Sequence, residues 1–155
     1  MRRFLVFLAL VGLFGVPAGA AHGIVARTPG SIYLQLMDGA GVARVNIRGN
    51  FLGRIERGKI VATKNVILGH CGTRRSVSTN LVECRGRDLT FRTPSDRRWR
   101  LRLSGHGINA SGFVHGCLVL NGVDSGYPGT FKRGVNGTVR LWPRTATRYG
   151  LGAAC

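Results

Sequence analysis

Arg98-Trp99-Arg100-Leu101-Arg102-Leu103-Ser104-Gly105 is the stretch that decides the fold. Apolar Trp99, Leu101 and Leu103 alternate with Arg98, Arg100 and Arg102. A period of two puts the apolar side chains on one face of a β-strand and the arginines on the other. The same alternation runs through Ile32, Leu34 and Leu36 with Tyr33 and Gln35, and through Val45 and Ile47 with Arg44, Asn46 and Arg48. Further short strands are expected at Lys59 to Thr63, Ser76 to Glu83, Leu89 to Arg92, Cys117 to Asn121 and Thr138 to Trp142. Glycine turns at Asp38-Gly39, Asn121-Gly122 and Asn136-Gly137 separate several of them. Outside the N-terminal segment no window carries a helical stripe. The pattern predicts an all-β domain, an antiparallel β-sandwich or small barrel. Gly53 and Gly112, lying inside strand patterns, predict bulges or a close approach of backbones.

An internal repeat organises these strands. Arg44-Val45-Asn46-Ile47-Arg48-Gly49 aligns with Arg100-Leu101-Arg102-Leu103-Ser104-Gly105, and Gly58-Lys59-Ile60-Val61 aligns with Gly116-Cys117-Leu118-Val119. In each copy an alternating strand runs into glycine, a second apolar segment follows (Phe51 to Ile55, Ile108 to Val114), and then glycine and a third strand. The reading is two similar glycine-rich meander repeats, residues 42–63 and 98–121, packed to form one core.

Composition narrows the function classes. The chain has 155 residues, 44% apolar, with 24 glycines and five prolines, so a packed core is affordable and extended low-complexity states are excluded. Twenty arginines and three lysines face six acids, for a formal charge of +17. Asp38, Glu56, Glu83, Asp88, Asp96 and Asp124 form no motif-level pair, which argues against the two facing carboxylates of glycosidases. No nucleophile elbow, phosphate loop or paired-histidine zinc motif is present.

The N-terminus reads as a targeting segment. Arg2 and Arg3 precede an apolar run of 13 residues, Phe4 to Val16, followed by Pro17 and a small-x-small site at Ala18-Gly19-Ala20. The run is short of the about 20 residues a membrane helix needs. Residues 1–21 are therefore expected to be a signal peptide and residues 22–155 a single exported domain, without a membrane span after cleavage. Losing Arg2 and Arg3 leaves a charge of about +15.

Export changes the reading of Cys71, Cys84, Cys117 and Cys155. Four cysteines in an oxidising compartment favour two disulfides, and three pairings are open. The favoured one joins Cys71 to Cys84 and Cys117 to Cys155. Zinc held by these cysteines with His70 and His115 is the weaker reading, because paired Cys-x2-Cys spacing is absent. No metal or other cofactor is expected.

Two resemblances add to this. The run Leu101 to Phe113 with Gly116, Leu118, Leu120 and Gly122, and the earlier Arg48-Gly49, Gly53-Arg54-Ile55 and Gly58, resemble exported β-rich proteins of high-GC bacteria. That resemblance covers most of residues 31–141 and implies a secreted β domain and no particular chemistry. Cys117 stands where the similar sequences often carry a small residue. Separately, His115-Gly116-Cys117-Leu118-Val119 is similar to the cysteine motif of L,D-transpeptidases, which implies Cys117 as nucleophile with His106-Gly107 upstream. The chain departs from that motif at Val114, where the family has serine, and at Val119, where it has arginine. Lysine also takes the Cys117 position in the first repeat.

The arginines are the strongest functional lead. Arg98, Arg100 and Arg102 share one strand face at about 7 Å spacing, and Arg44 and Arg48 take the matching face of the first repeat. A planar fork of donors suits phosphates and carboxylates, so the expected partners are anionic envelope or extracellular polymers. A dedicated nucleic-acid role is disfavoured, since aromatic residues are only 8% and none interleaves with the arginines on the polar face. The expected function is a secreted, non-enzymatic binding domain, with an L,D-transpeptidase-like enzyme as the alternative.

Overall fold

The computed structural model describes residues 29–122 and 128–155. The expected signal peptide lies outside the described residues. The described residues form eight strands: β1 (Ile32–Thr63), β2 (Ile67–Leu68), β3 (Thr73–Ser78), β4 (Leu81–Arg92), β5 (Trp99–Gly122), β6 (Thr130–Arg133), β7 (Val139–Leu141) and β8 (Thr147–Leu151). All pairings between them are antiparallel, and the described residues contain no helix. The fold is all-β and sandwich-like, and the sheet is not closed into a barrel.

The register explains how two strands as long as β1 and β5 make a compact core. Residues 42–47 pair on one side with 99–104 and on the other with 116–121. Residues 32–36 and 50–55 both pair with the 108–114 stretch of β5. Each long strand therefore passes back and forth between two layers. The first layer runs β7, β6, 32–37, 108–114, 50–55, 89–92 and β2. The second runs β8, 116–122, 41–48, 99–105, 58–63, 81–87 and β3. Strands that switch layers at bends are the usual device for making sandwich corners.

Glycine makes those bends possible. Gly41, Gly49, Gly58, Gly86, Gly105 and Gly116 all have positive φ and sit where the chain changes layer. At Gly105, with φ at 140°, an added Cβ would lie 2.7 Å from the Gly58 Cα of the facing strand, so both backbone conformation and space demand glycine. Gly53 and Gly112 fulfil the expectation of close approach: a side chain at either would run into the backbone of the paired strand.

This bending corrects part of the sequence reading. The three segments of each repeat do not form a meander, because they are one bent strand and pair with the other repeat instead. Asp38-Gly39, expected as a turn, is a bend inside β1, with Asp38 at φ 47°. The strand expected over Ser76 to Glu83 is split by a turn at Thr79 and Asn80, which makes β3 and β4 a hairpin.

Inward-facing residues of both layers meet in one cluster, including Leu34, Val45, Phe51, Ile60, Leu101, Leu103, Ile108 and Leu118. Trp99 lies stacked near Phe51, ring centroids 6.2 Å apart, and its indole N–H donates to the Gly49 carbonyl at 3.1 Å. Thr93, also buried, donates to the same carbonyl and accepts from the Phe51 N–H. The corner at Gly49 is thus fixed by a tryptophan and a threonine that leave no polar group of theirs unpaired.

Candidate anion-binding face

The register places the predicted arginines together. Across the seven strands of the second layer, one row of partners reads Arg148, Val119, Arg44, Arg102, Val61, Glu83, Arg75. The next row includes Cys117, Asn46 and Arg100. One step further, past the buried pair Ile47 and Trp99, Arg48 and Arg98 line a common hollow of about 300 Å³ with His115. Alternation buries Ala43, Val45, Ile47, Leu101 and Leu103 beneath this surface and leaves Arg44, Asn46, Arg48, Arg98, Arg100 and Arg102 exposed. All five arginines singled out in the sequence share one outer face.

Arg44, Arg100, Arg102 and Arg148 border a groove of about 550 Å³ whose floor is aliphatic, with Val61, Leu81 and Val119. Arg148 was missed by sequence reasoning. Its strand, β8, had a visible signal, since Tyr149 and Leu151 alternate with Arg148, but glycine at 150 weakened it.

Charge on this face is unbalanced. Glu83 is its one described carboxylate, buried with 5% of its side chain exposed, and it is committed to Arg85 at 2.6 Å, Arg75 at 2.8 Å and Lys59 at 3.6 Å. The hydrogen bond from Arg85, working against burial and joined by that from Arg75, holds the Glu83 carboxyl down to about 2. Among the described residues no carboxylate forms an ion pair with Arg44, Arg48, Arg98, Arg100, Arg102 or Arg148.

The opposite outer face differs. There a row runs Val139, Lys132, Gln35, Ser111, Leu52, Arg92, Ile67, mixing aliphatic, amide, hydroxyl and basic groups beside a groove of about 760 Å³.

The cysteines pair as Cys71–Cys84 and Cys117–Cys155, with Cα separations of 5.6 and 5.4 Å. No described cysteine is free, so the sulfurs of Cys71 and Cys117 are bonded to carbon and sulfur and offer no thiolate for a metal or a reaction. His106, the partner implied by the transpeptidase resemblance, lies opposite Arg57 at a layer corner. His115 lies opposite Arg48, and its Nδ1 is 3.3 Å from the Gly30 carbonyl. Two disulfides fit an oxidising environment. Among the described residues no helix is long and apolar enough to cross a membrane. No family model, curated protein or solved structure matches this chain.

Proposed function

We propose that the protein is an exported, non-enzymatic binding domain that holds anionic polymers against the arginine face of its second layer. The observation that carries this reading is the pair Arg44 and Arg102. They sit directly opposite each other, exposed, with no described carboxylate near enough to pair. Like charges directly across a strand pair are destabilising, so the folded protein bears a cost that an anionic ligand would relieve. Guanidinium forks bind phosphate and carboxylate through paired hydrogen bonds, and a field of one sign draws a polyanion in from solution.

Export rests on the signal-like segment Arg2 to Ala20 and agrees with the two disulfides. Duplication of residues 42–63 and 98–121 is part of the same reading. Taken over the repeat segments alone, the order in each layer (116–121, 42–47, 99–104, 59–62; and 108–114, 50–55) is palindromic, so exchanging one repeat for the other preserves the neighbours of those segments within the two.

The alternative, an L,D-transpeptidase-like enzyme, finds less support, because Cys117 is bridged to Cys155.

The test compares two triple variants of equal charge. Arg44, Arg100 and Arg102 changed to glutamate should abolish binding to a polyanion panel of polyphosphate, polygalacturonate and poly(glycerol phosphate). Arg54, Arg92 and Arg140 changed to glutamate, on the other layer, should retain it. Equal losses would mean that net charge alone attracts the polymer, and the face would have no special role.

A further inference from the structure

On strands 41–48 and 99–105 the outward positions form a ladder. Its rungs are Arg44 with Arg102, Asn46 with Arg100, and Arg48 beside Arg98. Successive rungs are two residues apart, about 6.7 Å, and the partners within a rung are about 5 Å apart. The ladder therefore offers guanidinium groups at a repeat of about 6.7 Å over about 13 Å, parallel to the strands. Across the strands the array is irregular: between Arg148 and Arg44 comes Val119, and beyond Arg102 come Val61 and then Glu83, whose charge is negative.

We infer that this ladder holds a single extended phosphodiester chain running parallel to the two strands, and that the chain is a base-free polymer of the alditol phosphate type. The inference rests on the reading of this face as an anion site and deepens it. An extended phosphodiester chain carries one charge per linkage, at a spacing close to that of alternate residues on a strand. Polyphosphate and polyuronate chains place their charges closer together, so most would face no guanidinium. Beside the ladder, on the flanking strands, Val119 and Val61 border the Arg44–Arg102 rung and Leu81 lines the same groove, an aliphatic margin that suits the carbon backbone of a polyol. The one aromatic residue of the two ladder segments, Trp99, is buried beneath them, and Tyr149 on β8 lies opposite buried Leu118 and packs against Phe131, so the ladder itself presents no aromatic ring for a base to stack on. Ser104 follows Arg102 on its strand and donates to the Lys59 carbonyl at 3.4 Å, so the charged ladder stops there.

Binding of the full mature chain to poly(glycerol phosphate), oligo-dT, polygalacturonate and inorganic polyphosphate of matched charge tests this, each across a salt series. Poly(glycerol phosphate) should bind tightest. Arg98→Gln, Arg100→Gln and Arg102→Gln should each weaken it about tenfold and reduce the slope of log K against log salt by about 0.7, with Arg148→Gln losing less than Arg98→Gln. A larger loss at Arg148 than at Arg98 would mean the polymer crosses the strands, and the inference fails. Tighter binding of oligo-dT would reassign the site to nucleic acid. Equal or tighter binding of polygalacturonate or polyphosphate, still sensitive to these arginines, would overturn the spacing argument and leave the general anion-binding reading standing. If no polymer responds to these arginines, both readings fall. All four positions are exposed, and unchanged thermal unfolding of each variant verifies that the fold is intact.

Discussion

Arg44 and Arg102 stand directly opposite each other on adjacent antiparallel segments, flanked on the same row by Val119 and Val61. Two positive charges in that relation repel at short range, and no described acid intervenes.

Replacing Arg44 with glutamate turns this repulsion into a cross-strand attraction. Arg44→Glu is expected to raise stability by about 0.2–1 kcal/mol at low salt, while polyanion binding falls. Thermal unfolding at two ionic strengths checks it, because a screened surface interaction must shrink as salt is added. A variant that is less stable at low salt would show that Arg44 is already compensated.

Glu83 makes stability depend on acid. Its folded carboxyl titrates near 2 and the ordinary value is 4.5, so as pH falls the unfolded chain takes up the proton first. The contribution is whole above about pH 4.5, erodes between there and about pH 2, and is absent below. Denaturant titrations across that window should show the wild type losing stability more steeply than Glu83→Gln. Parallel profiles would contradict the ion cluster of Glu83 with Arg85, Arg75 and Lys59.

The two disulfides should matter unequally. Cys71–Cys84 spans a separation of 13 residues and Cys117–Cys155 one of 38. Loop-closure entropy gives about 3 and 4 kcal/mol respectively. Peptide mapping of the non-reduced protein should find both bridges and no free thiol. A fast-alkylating Cys117 at neutral pH would revive the transpeptidase reading. Urea midpoints of the double alanine variants should fall in the order given, although Cys84, wholly buried, adds a packing loss to its own pair.

Gly105→Ala should lower stability by about 2 kcal/mol or more. The new side chain would take a φ of 140° and press on the backbone of Arg57 and Gly58. Chemical unfolding measures this, and a near-neutral effect would mean the corner can relax without the paired strand moving.

Trp99, Leu101 and Leu103 against Arg98, Arg100 and Arg102 set the strand and its two faces before any partner is considered, because side-chain direction in a strand has period two. The same rule fixed Arg44 and Arg48, so the five arginines were legible as residues that point away from the core. Arg148 was less so, since the short β8 reads weakly beside Gly150.

Composition and periodicity alone determined the all-β class, the excess of positive charge, and which side chains face outward. Only the tertiary structure decided that β1 and β5 bend at glycines and pair with each other rather than folding into meanders. Pairing is a choice between distant segments with similar alternation, and each local pattern is satisfied equally well by several partners. The choice made here sets residues 41–48 beside 99–105. That neighbourhood turns separate arginines, 58 residues apart along the chain at Arg44 and Arg102, into one charged ladder.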